Sequence, residues 1–126
     1  MITGMEMWTN SSCSKCAGAR QALDEARVPY RLRSYLDEPP TVEELAEVLR
    51  RLGAQPWEVC RTGEPAAAAR RMAEWPREDA TAGRWIEAMV EAPELIQRPI
   101  LLFDDGSAAV ARTSEELEGA VRRARG

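Results

Sequence analysis

Apolar and polar positions change their spacing several times along the chain, and each change marks an element. Met5-Glu6-Met7-Trp8 alternates and predicts a short first strand. Thr9 to Ser12 is a run of turn formers. Ala17, Ala19, Ala22, Leu23 and Ala26 then recur at helical spacing in a stretch of strong helix formers, and Val28-Pro29 ends it. Tyr30, Leu32 and Ser34 alternate with Arg31 and Arg33, as a second strand does. After the break at Asp37-Glu38-Pro39-Pro40, Thr41 opens a helix. Thr41 and Glu44 form a capping box, Val42, Leu45, Val48, Leu49 and Leu52 share one face, and Gly53 stops it. Gln55 to Gly63 reads as a turn or loop. Pro65 is placed to begin a helix through the alanine-rich stretch to Trp75, and Pro76 breaks it. Asp79 is the expected cap of a fourth helix, with Trp85, Ile86, Met89 and Val90 facing inward.

The last third changes period again. Ile100-Leu101-Leu102-Phe103 suits a buried strand, Asp104-Asp105-Gly106 is a hairpin signal, and Ser107 to Ala111 is the returning strand. Thr113 and Glu116 form a second capping box, and Leu117, Ala120, Val121 and Ala124 line a final helix. There is no repeat, linker or low-complexity tail. A βαβ start followed by helices, a ββ hairpin and a helix predicts an α/β fold. A parallel strand pair joined by an antiparallel hairpin makes a four-stranded mixed sheet, the thioredoxin-like plan, with a helical insertion at about 41–92. The 126 residues fit a single domain of this kind, 1–126.

Composition narrows the function. The chain is 44% hydrophobic and 30% charged, enough to bury a core and keep a solvated surface. A net charge of -4 argues against direct nucleic-acid binding. No apolar run is long enough to span a membrane, and Met1 to Trp8 lacks the basic start and apolar middle of a signal peptide, so a cytoplasmic setting is expected. The protein carries 17 basic residues, of which only Lys15 is lysine; arginine suits planar oxyanions better. The 4 tryptophans, Trp8, Trp57, Trp75 and Trp85, read as packing residues, with Trp8 placed to brace the loop that follows it.

The 3 cysteines are Cys13, Cys16 and Cys60. Three cannot pair off, so a catalytic or regulatory thiol is the better reading than a disulfide scaffold. With no histidine and one CxxC pair, a zinc site is not expected, nor any bound cofactor. Cys13-Ser14-Lys15-Cys16 falls where the first strand passes into the first helix. Helix N–H groups and dipole, the Lys15 ammonium and a second sulfur one turn on would all favour the Cys13 thiolate and its oxidation. Cys60, beside Val59, reads as a half-buried small hydrophobe.

These residues resemble a family. The chain is similar to the glutaredoxin-linked arsenate reductases of the ArsC type and their relatives, which include Spx-type transcription regulators. The resemblance runs from Trp8 to about Val121. It rests on Asn10-Ser11-Ser12-Cys13, on Tyr35 to Thr41, on Arg61-Thr62-Gly63-Glu64-Pro65, on Arg98-Pro99-Ile100 and on Arg112-Thr113-Ser114-Glu115. It implies a Cys13 nucleophile acting on a small oxyanion, with Asn10, Arg61, Arg98 and Arg112 as substrate-binding residues and Pro99 cis beside the site. Glutathione, glutaredoxin or thioredoxin would be the external reductant. Three positions depart from the family pattern: Thr9 stands where a histidine is common, Ser11 where a proline is, and Cys16 where Ser or Thr is. Cys16 therefore offers an internal resolving thiol. The alternatives are an Spx-like redox switch that binds RNA polymerase and a glutaredoxin-like disulfide reductase.

Overall fold

In the computed structural model the described residues are 5–10 and 14–125. The chain divides into two compact units, Met1–Glu38 with Arg98–Gly126, and Pro39–Gln97.

The first unit is built on a four-stranded sheet. Strand β1 (Glu6–Thr9) lies parallel to β2 (Arg31–Ser34) and antiparallel to β3 (Ile100–Leu102), which pairs antiparallel with β4 (Ala108–Val110). The order is β2-β1-β3-β4, the mixed sheet expected from the sequence. Strand side chains alternate between faces. Met5, Met7, Leu101, Phe103 and Ala111 fall on one face and form a core with Ala19, Leu23 and Val28 and with Ala120. Helices α1 (Ser14–Glu25) and α5 (Ser114–Arg125) supply that cover. The β3–β4 hairpin turns at Gly106, whose φ of 89° is the left-handed region glycine tolerates. Thr113 and Glu116 form the expected capping box, each accepting a hydrogen bond from the other's backbone N–H at 3.0 Å.

The second unit is helical. Helix α2 (Val42–Leu52) has its capping box, with Thr41 Oγ1 accepting from Glu44 N at 3.0 Å and Glu44 Oε1 from Thr41 N at 2.9 Å. Gly53 closes it in the left-handed conformation, φ 66°. Leu45, Val48 and Leu49 are buried, whereas Val42, in the first turn, is exposed. Thr41→Ala, which removes the cap acceptor, is expected to cost about 1 kcal/mol of stability in urea denaturation.

Two helical expectations are corrected here. The helix from Pro65 stops early: α3 is Pro65–Ala69, Arg71 takes φ 56°, and a 3-10 turn spans Met72–Glu74. Continuing the helix would forfeit what the turn achieves. Met72 is fully buried, Trp75 Nε1 donates to Arg70 O at 3.1 Å, and the Trp75 ring meets Trp85 edge-on at 5.4 Å. Aromatic burial outweighs alanine's helix propensity. Asp79 also does not cap the fourth helix. It opens a 3-10 turn, Asp79–Thr81, and α4 runs Ala82–Glu91. Thr81 Oγ1 holds the entry by donating to Pro76 O at 2.7 Å. Gln55 to Gly63, read as loop, contains a 3-10 turn at Pro56–Glu58 and a single bridge, Cys60 to Ile96.

Candidate functional site

The site residues of the first unit meet through strand register. Trp8 pairs with Ile100, and Ile100 with Val110. Two residues further along each strand direction lie Asn10, Arg98 and Arg112. Asn10 directly follows β1, and Arg98 and Arg112 lie just beyond the paired ends of β3 and β4. Two hydrogen bonds tie the Arg98–Pro99 segment to Ala111 and Arg112. Ala111 N donates to Pro99 O at 3.1 Å, and Arg112 Nη1 donates to the Arg98 carbonyl at 2.7 Å. Asn10 is 5% exposed, Pro99 is buried, and Arg98 and Arg112 are half-buried. The Arg98-Pro99 peptide is cis. Two arginines and a buried carboxamide therefore share one end of the sheet, a donor set suited to an oxyanion.

Cys13, the expected nucleophile, lies outside the described residues, as do Ser11 and Ser12. Helix α1 begins at Ser14. Lys15 is exposed, and Cys16 is 2% exposed on the inward stripe of α1 with Ala19 and Leu23.

Arg61 sits in the second unit and is anchored there. Its backbone N donates to Leu95 O at 2.7 Å, its Nη1 donates to Gln97 Oε1 at 3.1 Å, and its Nε lies 3.7 Å from Glu64 Oε2. Cys60 is half-buried, as expected. Burial pushes its thiol up to about 11, against a smaller opposing pull from the Arg77 charge. A thiol whose folded pKa exceeds its ordinary 9.0 keeps its proton in the folded state. Any stability it contributes is full below that ordinary value and lost as pH rises through the folded one. At pH 8 roughly one Cys60 in a thousand is thiolate. Alkylation followed by peptide mass spectrometry is expected to label Cys60 far more slowly at pH 8 than in unfolded protein and to accelerate about tenfold per pH unit up to about pH 11. Labelling at pH 8 as fast as in unfolded protein would contradict this burial.

Sequence reasoning missed the residues that steady β1. Trp8 is 1% exposed, its Nε1 donates to Glu6 Oε1 at 2.9 Å, and the Arg33 guanidinium lies 5.1 Å from its ring centroid. The only signal was the matched alternation of Glu6 and Trp8 with Arg31 and Arg33, which the parallel register brings face to face. Glu116 was noted as a cap but also accepts from Arg112 N at 2.9 Å, tying the Arg112 backbone to α5.

Fold and site define a class: a thioredoxin-like α/β domain with Cys16 in its first helix and two arginines at one end of its sheet. Residues 8–120 match the ArsC family, and the chain belongs to that family. It is 44% identical over 119 residues, 94% of this chain and 100% of the other, to an uncharacterized protein in the glnII region of Streptomyces viridochromogenes. It is 29% identical to an arsenate reductase of Neisseria meningitidis serogroup A, over 90% of this chain and 95% of that one. A shorter match, 39% identity over 44 residues and about a third of each chain (35% and 34%), is to the global transcriptional regulator Spx of Listeria innocua. In fold, it superposes on an arsenate reductase from Vibrio cholerae with a TM-score of 0.80 at 24% identity, covering 97% of this chain and 98% of that one. Among the described residues no helix is long and apolar enough to cross a membrane.

Proposed function

We propose that the protein is a thiol-dependent reductase of arsenate or a similar oxyanion, with Cys13 as the nucleophile. The Cys13 thiolate attacks the arsenic, forming an S–As bond as one oxygen leaves as water. A second thiol then attacks the Cys13 sulfur. The S–As bond breaks with its electron pair on arsenic, arsenite leaves, and a disulfide remains. Cys16 is the proposed second thiol, so the oxidised product is a Cys13–Cys16 disulfide that glutathione with glutaredoxin, or thioredoxin, returns to the dithiol. Asn10, Arg98 and Arg112 hold the oxyanion and offset its developing charge. Arg61 is the fourth member that the resemblance adds to this set. Lys15 favours the thiolate, and Pro99 shapes the wall. The proposed setting is the cytoplasm, with no cofactor or metal bound and no membrane or nucleic acid engaged directly.

The observation that carries this reading is the shared end of the sheet. Residues about a hundred positions apart in sequence, Asn10 and the Arg98–Arg112 pair, converge at the Asn10 end of β1. A redox switch has no need of that many fixed anion donors. The test is NADPH-coupled turnover with arsenate in glutathione–glutaredoxin and thioredoxin systems. Arg98→Ala is expected to lower kcat/KM about 100-fold, the scale of losing one oxyanion donor. Cys16→Ser is expected to abolish thioredoxin-supported turnover. No turnover in either system, from protein whose Cys13 still alkylates, overturns the assignment. The Spx match supports a second reading, a thiol switch on RNA polymerase; retention of a polymerase subunit that changes on oxidation would favour it.

A further inference from the structure

The Arg61 guanidinium is held from two sides within its own unit, Pro39–Gln97. On one side Nη1 donates to Gln97 Oε1 at 3.1 Å. Gln97 is itself fixed, its backbone N donating to Val59 O at 2.8 Å. A carboxamide oxygen is a neutral acceptor, so this bond orients the guanidinium without cancelling its charge. On the other side stands Glu64. Residues Arg61 to Glu64 form a four-residue turn, closed by Glu64 N donating to Arg61 O at 3.1 Å. The turn brings the two side chains together: Arg61 Nε lies 3.7 Å from Glu64 Oε2, with the side chains 26% and 27% exposed.

The contact at Nε is an ion pair and not a hydrogen bond. A separation of 3.7 Å is beyond N–H···O reach, and the buried Nε makes no hydrogen bond among the described residues. Nε belongs to the fork with which a guanidinium grips an oxyanion through two parallel bonds. The donor suited to an anion is therefore held ready behind a carboxylate that it does not bond. The Glu64 side chain makes no cap bond to α3, which begins at Pro65.

We propose that Glu64 is a built-in competitor for the oxyanion at Arg61. Its carboxylate fills the anion-facing side of the guanidinium until substrate displaces it, and so sets how tightly the protein takes its anion. This rests on the reading of Arg61 as a member of the oxyanion set. Displacement breaks no hydrogen bond and exchanges a long ion pair for shorter, charge-assisted bonds. Gln97 keeps the guanidinium in place through the exchange. An oxyanion and the Glu64 carboxylate cannot both lie close to Nε without like-charge repulsion, so removing the Glu64 charge helps the substrate. A carboxylate that served only to steady Arg61 would give the opposite sign: its loss would loosen the guanidinium and weaken the anion.

Calorimetric titration of arsenate into the full chain carrying Cys13→Ser, which forms no S–As bond, measures binding apart from reaction. On that background Glu64→Gln is expected to tighten arsenate binding about fivefold, the upper scale for a partly exposed ion pair. Circular dichroism should stay native, since no cap bond is lost. The gain must pass through Arg61: with Arg61→Ala also present, Glu64→Gln is expected to bring none. Unchanged or weaker binding in Glu64→Gln overturns the proposal. So does an equal gain without Arg61, which would be the general effect of one negative charge fewer. If the Cys13→Ser parent binds no arsenate, or Arg61→Ala and Arg98→Ala both leave its affinity unchanged, the oxyanion site itself falls and this inference with it. Weaker binding in both arginine variants, without a gain in Glu64→Gln, strikes the role of Glu64 alone.

Discussion

Cys13→Ser is expected to reduce arsenate-dependent turnover to background, a loss of at least about a thousandfold, because a serine hydroxyl stays protonated where a thiol ionises. Its pKa lies far above the operating pH, and an oxygen nucleophile cannot pass through the disulfide that closes the cycle. The loss should therefore appear in kcat with both reductant systems, whereas Arg98→Ala acts largely on handling of the anion. The fold should be untouched, because serine differs from cysteine by a single atom. Coupled assay and circular dichroism together check this. Turnover near wild type in Cys13→Ser would remove the nucleophile assignment and with it the proposed reaction.

Trp85→Ala is expected to be the most damaging single change to stability, at about 3–5 kcal/mol. Trp85 is fully buried in the second unit. Its ring receives Trp75 at 5.4 Å and Trp57 at 6.2 Å, both edge-on, and its Nε1 donates to Pro76 O at 2.9 Å. Alanine would leave a cavity and two aromatic rings without their shared partner, and would remove one of the two hydrogen bonds that Pro76 O accepts. Domains of this size are stable by only about 5–15 kcal/mol, so the unfolding midpoint should fall markedly in urea. A loss below about 1 kcal/mol would mean that the three rings do not pack as described. Trp57, Trp75 and Trp85 were read from sequence as packing residues; their mutual geometry was not readable there.

Elements governed by neighbours close in sequence were legible. The capping boxes at Thr41 and Thr113 join residues three apart, and Gly53 and Gly106 take the positive φ that each position needs. The mixed sheet followed from alternation in Met5–Trp8 and Ile100–Phe103, because burying one face dictates a period of two. Where distant packing competed with local preference, the sequence reading failed. Pro65 to Trp75 is rich in alanine, yet the chain turns at Arg71 to bury Met72 and deliver Trp75 to Trp85.

The candidate site divides along the same line. The proposal for Cys13 and Cys16 came from residue type and from a spacing of one helical turn, both local to the sequence. The arginines were not distinguishable by any local feature from the others in a chain with 17 basic residues, and came only through resemblance. What joined Asn10, Arg98 and Arg112 was inter-strand register, set by β1, β3 and β4 burying Met7, Leu101 and Ala111 together against α1 and α5. The sequence by itself determined the strands, the two capping boxes and the α/β plan, because each is decided within a few residues. Only the tertiary structure decided which arginines share a sheet end, what steadies Trp8 and where α3 stops, because burial of the core ranks contacts between residues that the chain keeps far apart.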